Sequence, residues 1–328
     1  MKIMKIGITG CAGFLGSHLV DALLNRGHTV IGIDNLSMGK LDNVSHNFEH
    51  PCFSFFKSDV RDLAALRNNF EGAEVIVHLA AYKIPRYGNA IDTLLINNQG
   101  AHNALEIARE NKSKVVLAST SDVYGKNPNL PFNEEGDLVI GPSTVARWSY
   151  AVSKLFDEHL AFAYQAEYGI PVVNLRFFGS YGPRHHLSWW GGPQSVFITQ
   201  ILKDEEITIH GDGLQTRSFT YVSDTVDGIV ASVERPEANG HIFNIGNTHE
   251  VTILELARLI HKLCKVSGEA KLRFVPYASF SGGKYEDVMR RIPDISKAGK
   301  VLDFHPKIGL EQGLTTTIEW QRNREDSR

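Results

Sequence analysis

Tyr150 and Lys154 stand four residues apart in the segment Tyr150-Ala151-Val152-Ser153-Lys154, so on a helix they share one face. A phenol has a reference pKa of roughly 10 and becomes a base near neutral pH only beside a cation, which a lysine ammonium at this spacing can supply. The pair is short enough to arise by chance, and its meaning depends on company. Upstream, the apolar run Lys114 to Ser119 reads as a strand, and its end carries Thr120, Ser121, Asp122, Val123, Tyr124 and Gly125. Hydroxyls and a carboxylate at a strand C-terminus in an open α/β sheet face the ligand crevice. The same residue types also close turns through local hydrogen bonds.

The element that must carry this chemistry begins near the N-terminus. Ile6 to Asp34 reads as strand, glycine turn, helix and strand, with Gly10, Gly13 and Gly16 at the turn. The helix opens with Phe14 and Leu15, and a phosphate can sit on its N-terminal amides. Leu15, Leu19, Leu23 and Val20, Leu24 form two adjoining apolar rows, and Gly27 ends the helix in the left-handed position. Asp34 lies about 20 residues past the last glycine, where a carboxylate accepts from the ribose hydroxyls and repels a 2′-phosphate. NAD is therefore the expected dinucleotide, with Asn35 among its expected contacts. A second strand and helix follow at Phe53 to Lys57 and Asp62 to Phe70, and between them Asp59 and Val60 are placed to flank the adenine. The buried strand Ala73 to Leu79 then delivers Leu79, Ala80 and Ala81, small enough at the last two positions for close cofactor approach.

The rest of the composition narrows the class. A chain of 328 residues can bury a sizeable core, and a net charge of -3 from 34 basic and 37 acidic residues gives no general attraction to nucleic acid or anionic membrane. No apolar run is long enough to span a bilayer, and the N-terminus leads directly into the first strand. Cys11, Cys52 and Cys264 are scattered and odd in number, which points to a reducing, cytoplasmic setting. The adjacent His185 and His186 lack spaced partner ligands, so no metal site is expected.

Further motifs occur in order: HLAA at 78 to 81, Asn97 three before Gly100, STSDVYG at 119 to 125, YAVSK, RFFGSYGPR at 176 to 184, RSFTYVSD at 217 to 224 and RRIPDISKA at 290 to 298. Over essentially the whole chain they resemble the extended short-chain dehydrogenase/reductase family of nucleotide-sugar epimerases, dehydratases and decarboxylases. IGPSTVARWSYAVSK and GGKYEDVMRRIPDI are most similar to UDP-glucuronate 4-epimerases and decarboxylases. The resemblance implies an α/β fold, a Rossmann-type doubly wound parallel sheet over residues 1–175 to which later segments return, and a smaller C-terminal α/β substrate domain over 176–328. It implies that Tyr150 takes the proton of a sugar 4-hydroxyl as C4 is oxidised, with Thr120 sharing the hydrogen bond and Lys154 holding phenolate and ribose. NAD is regenerated in each turnover. Asn97 is carried over as a cofactor contact, and Ser121, Arg217, Arg291 and Tyr285 as contacts of a UDP-sugar. A homodimer built on a four-helix bundle is also implied, from the helix Ser149 to Tyr168, apolar nearly all round, and the helix near Asn97.

Two departures from the family pattern bear on the reaction. Asp122 stands where the decarboxylases have Glu, one methylene longer, and this shifts the expectation toward 4-epimerisation of UDP-glucuronic acid to UDP-galacturonic acid. The alternative is UDP-glucuronate decarboxylation; a neutral UDP-hexose 4-epimerase and a non-catalytic NAD-binding protein rank lower. Gly179 replaces an Asn that contacts the diphosphate in many relatives, leaving space for a bulkier substrate. Beyond it, Arg184 to Pro193 reads either as a lid, with Arg184, His185 or Ser188 facing a substrate carboxylate, or as a packed loop. Asp224 is read as the cap of a helix from Thr225 to Glu234, and Gln321 to Arg328 as a polar tail.

Overall fold

The computed structural model describes residues 2–83, 89–277, 279 and 286–325. β1 (Lys5–Thr9) leads through the glycine turn into α1 (Phe14–Asn25) and β2 (Thr29–Asp34). β3 (Phe53–Lys57), α2 (Leu63–Asn69), β4 (Val75–His78), α3 (Ala90–Asn111), β5 (Lys114–Thr120), α4 (Trp148–Tyr168) and β6 (Val172–Phe177) continue the alternation. The chain then passes through β7 (Gly179–Tyr181), α5 (Pro193–Leu202), β8 (Ile207–His210), β9 (Thr216–Tyr221), α6 (Val222–Glu234) and β10 (His241–Ile245). β11 (Glu250–Thr252), α7 (Ile253–Leu263), β12 (Leu272–Val275), β13 (Arg290–Arg291), α8 (Ser296–Leu302) and α9 (Leu310–Glu325) complete it.

Seven strands form one wholly parallel sheet in the order β10-β6-β5-β4-β1-β2-β3. This is a doubly wound Rossmann-type sheet. Winding reverses between β1 and β4, and a crevice opens at their C-terminal ends. One sheet face is covered by α1 and α6, where Leu19, Val20 and Leu23 meet Val226, Ile229 and Val230. The other is covered by α2, α3 and α4 through Leu66, Ala101, Ala104 and Ala161. Ala and Gly let α3 lie close: a Cβ added at Gly100 would approach His78 to 3.2 Å.

A smaller α/β layer lies over the crevice. β11-β9-β13 with β7 against β9 makes its main sheet, β12-β8 a second, and α5, α7 and α9 pack on them through Phe197, Ile198, Leu256, Ile260, Leu314 and Ile318.

Three expectations change. α6 starts at Val222, so Asp224 lies in its first turn and is not its cap; instead its Oδ2 accepts from the Ile308 amide at 3.0 Å, tethering the connection into α9. Of the expected polar tail, residues 321–325 form the end of α9, where buried Gln321 donates to the Ser195 carbonyl at 3.1 Å and to Thr199 Oγ1 at 2.6 Å. α4 does not bury a uniformly apolar surface. Lys154, Asp157 and Glu158 are buried, while Val152 and Phe156 are exposed.

Candidate active site

A cavity of about 580 Å³ runs along the crevice between the large sheet and the smaller layer. The glycine turn floors one end. Gly10 has φ +73, and a Cβ there would lie 2.9 Å from the Ala80 nitrogen; one at Gly16 would lie 2.1 Å from the Gly10 carbonyl. Only glycine permits both approaches. Gly13 precedes α1 without a side-chain cap, and no acid sits in the first turn, so the leading amides face the cavity unopposed.

Asp34 closes β2 with its carboxylate accepting from Ala12 N at 3.0 Å and Leu36 N at 2.8 Å. Burial raises its pKa, against the pull of those amides. Phe14, Leu15, Asn35, Val60, Leu79, Ala80 and Ala81 line the same end. This set fits a dinucleotide: close-approach glycines, open helix amides and an acid at the ribose distance. Asp59 and Asn97 do not line the cavity. The Asp59 carboxylate is gripped by the Arg61 guanidinium at 2.9 and 2.8 Å and accepts from Asn35 at 3.0 Å. Asn97 is buried and staples Tyr82, whose amide it accepts at 2.7 Å, to Ser153 on α4 at 3.0 Å.

At the other end Thr120, Ser121, Asp122, Tyr150 and Lys154 all line the cavity. β5 ends at Thr120, whose Oγ1 accepts from the Asp122 amide at 3.2 Å, so the turn presents the Asp122 side chain to the crevice. Tyr150 and Lys154 come from the first turns of α4. Burial raises the Tyr150 pKa, and the charges of Asp122 and Asp157 raise it further. Lys154 is 1% exposed and donates to Asp157 Oδ2 at 3.2 Å.

Arg291, on β13, donates from Nη1 to Asp122 Oδ1 at 2.7 Å, and Arg147 lies 3.4 Å from the same oxygen. Arg217 Nη2 donates to Asp287 Oδ1 at 2.8 Å, and Tyr277 donates to Asp287 Oδ2 at 2.7 Å. These cations face the half of the cavity expected for the sugar diphosphate. Lys83 also lines it; burial lowers its pKa to about 8, with Asp122 opposing. Arg147, Lys83, Tyr277 and Asp287 were not anticipated. Arg147, one helical turn before Tyr150, could have been found by spacing; the others carry no local signal. Tyr285 lies outside the described residues.

The loop after β7 departs from expectation. Arg184, at φ +65, donates to Asp21 Oδ2 on α1 at 2.7 Å. His185 stacks on Phe14 with centroids 4.0 Å apart, and burial holds its pKa well below the ordinary range. Ser188 pairs with His186 Nδ1 at 2.8 Å, accepts from the Trp190 amide at 3.3 Å and does not line the cavity. These contacts fasten the loop to α1 and to itself, while Arg184 and His185 still line the cavity. Gly179 lines the cavity, yet a Cβ there would lie 3.0 Å from Phe219 and 3.1 Å from the Ser218 carbonyl. On the side where a Cβ would point, β9 is the neighbour, so any larger side chain here would press on Phe219.

The family model described as GDP-mannose 4,6-dehydratase matches residues 8–317. The chain belongs to that family. Its members, extended short-chain dehydrogenases acting on nucleotide sugars, use NAD, which fits the glycine turn and Asp34. UDP-N-acetyl-alpha-D-glucosaminuronate decarboxylase of Bacillus cytotoxicus is 37% identical over 97% of this chain and 98% of that protein. UDP-glucuronic acid decarboxylase 1 of Arabidopsis thaliana is 38% identical over 98% of this chain and 71% of its own length. Among solved structures, UDP-glucuronic acid 4-epimerase from Bacillus cereus, in complex with UDP-glucuronic acid and NAD, has a TM-score of 0.86 at 32% identity, covering 98% of this chain and 100% of that one. The fold, the family and the NAD requirement agree with the sequence reading. The order of the two candidate reactions does not: the decarboxylases are the stronger sequence relatives, and 4-epimerisation loses its first place. Among the described residues no helix is long and apolar enough to cross a membrane.

Proposed function

We propose that this protein is an NAD-dependent decarboxylase of a UDP-hexuronic acid, working through a 4-keto sugar. The observation that carries the reading is the pair of guanidinium groups, Arg291 and Arg147, fastened to Asp122 beside Thr120 and Tyr150. Tyr150 removes the proton of the sugar 4-hydroxyl, and Thr120 holds the same oxygen. Bound NAD supplies the hydride acceptor for C4 and later the donor, so it is regenerated. In the 4-keto sugar the C6 carboxylate is β to a carbonyl, and the C5–C6 electron pair can pass to the C4 oxygen as CO₂ leaves. Arg291, Arg147 and Lys83 give that end of the cavity the positive charge that favours the resulting enolate. A proton returned to C5 gives the UDP-4-keto-pentose, which becomes the UDP-pentose once C4 is reduced again and Tyr150 returns its proton to the C4 oxygen. Arg217 grips the diphosphate.

A second reading, 4-epimerisation, is favoured by the length of Asp122, one methylene short of the glutamate that the resemblance attaches to decarboxylases. A proton NMR time course with UDP-glucuronic acid, and in parallel with its 2-acetamido counterpart, separates the two. A UDP-pentose with release of CO₂ is the expected result. UDP-galacturonic acid in an equilibrium mixture would replace this reading with the epimerase.

We also infer a homodimer in the cytoplasm. Ile91 and Leu95 on α3, each 64% exposed, and Phe156 on α4 leave an apolar face on two helices that already pack together. The three cysteines are unpaired, as suits a reducing compartment. Light scattering giving a monomer at micromolar concentration would remove the dimer.

A further inference from the structure

Lys154 is a buried cation, and a buried cation needs a counter-charge. Its ammonium donates to Asp157, one turn further along α4, at 3.2 Å, with side-chain exposures of 1% and 3%. The second carboxylate oxygen, Oδ1, is buried without a hydrogen-bond partner among the described residues. Asp157 is thus not the hub of a structural network, unlike its neighbour Glu158, whose carboxylate is engaged by Arg176 at 2.9 and 2.8 Å and by Ser119. Among the described residues, its side-chain hydrogen bond is to the lysine.

Among the described residues, the surroundings leave Asp157 as the group opposing that lysine. β4 contributes His78, which burial, aided by the Lys154 charge, lowers to about 3, so it is neutral. β6 contributes Arg176, already held by Glu158. The turn after β5 contributes Asp122, held by Arg291, with Lys83 acting on it electrostatically. α3 contributes the uncharged Asn97, bonded to Ser153. Asp157 also acts on Tyr150 directly, since its charge raises the phenol pKa. Burial pushes the Asp157 carboxyl itself up to about 6, with Lys154 pulling the other way.

We propose that Asp157 is a positioning residue for the base: it anchors the Lys154 ammonium in the dry interior of α4, and its negative charge limits how strongly that ammonium draws the proton from Tyr150. The ammonium has three donors. One is spent on Asp157, leaving two for the phenolate and the cofactor ribose. The anchor therefore fixes the direction of the lysine at the cost of weakening its field, and the working pH of Tyr150 reflects both. This rests on Tyr150 being the base and is indifferent to whether the carboxylate of the sugar is lost.

The test is Asp157→Asn, which keeps the shape and removes the charge, in protein with NAD bound. Two readouts are taken: the pH profile of nicotinamide reduction by UDP-glucuronic acid, and a near-ultraviolet difference titration of the phenolate with Tyr150→Phe as blank. The acid limb and the phenol titration should both move down by about one pH unit, the effect of removing one nearby like charge. Asp157→Glu, which retains the charge, should leave both near the parent. An unmoved limb, or one displaced upward because Lys154 has lost its proton, overturns the proposal. If Asp157→Asn does not fold, Asp157→Ser takes its place with the same expected direction. If the parent protein never reduces its NAD with any UDP-sugar, the proposed function falls, while the phenolate titration still decides the role of Asp157.

Discussion

Arg291 Nη1 meets Asp122 Oδ1 at 2.7 Å and so joins β13 of the smaller layer to the turn that ends β5. The bond crosses the crevice at the sugar end and makes Asp122 part of a charge cluster. Asp122→Asn keeps the volume and loses the charge that orders both guanidinium groups. Decarboxylation by this variant should fall about 10²-fold, the usual scale for a positioned acid or base, whereas Asp122→Glu should stay within about tenfold of the parent. NMR progress curves check both.

Tyr150→Phe removes the hydroxyl and little volume. Turnover should drop by about 10³-fold. NAD released on denaturing the purified variant should match the parent, because the glycine turn and Asp34 are untouched.

Asp287 gives a pH signature in stability. Burial pushes its carboxyl up, but Arg217, Arg147, the Tyr277 hydroxyl and Arg291 outweigh this and hold it at about 2, below the usual 3.8. A carboxyl depressed on folding stabilises above its unfolded pKa and loses that contribution as pH falls through the folded one. The gap in urea midpoint between the parent and Asp287→Asn should therefore be constant near neutrality and shrink as pH drops from about 4 toward 2. A gap that widens on acidification would contradict the assignment.

The Glu158 to Arg176 pair, each side chain 3% exposed, sits between α4 and β6 with the Arg176 guanidinium over the Tyr124 ring at 4.8 Å. Glu158→Ala leaves a buried unpaired guanidinium and should cost about 3–5 kcal/mol in chemical denaturation. Replacing both partners by apolar residues should recover part of that loss.

The parts legible in the sequence are those fixed by local constraint. Gly10 and Gly16 admit no side chain, Asp34 follows a helix of set length, and Tyr150 and Lys154 are one turn apart. The parts that were not legible depend on contacts between segments far apart in the chain. Arg184 pairs with Asp21, 163 residues earlier, a contact for which the sequence carries no local signal. The neighbour that fills the space beside Gly179 comes from β9. Asp224 has the residue type of a cap, yet it lies in the first turn of α6 and accepts from the distant Ile308 amide. α9 reads as polar because Gln321 finds its partners on α5.

The return of β10 to the edge of β6 has a consequence for synthesis. β6 pairs with β5 on one side and β10 on the other, and α1 is roofed by α6. Until residues 222–245 have left the ribosome, a nascent chain that has already made its glycine turn carries an open strand edge and an uncovered apolar helix. The half that carries the glycine turn is translated first but closes late, and its strand edge and apolar helix stay uncovered through that interval.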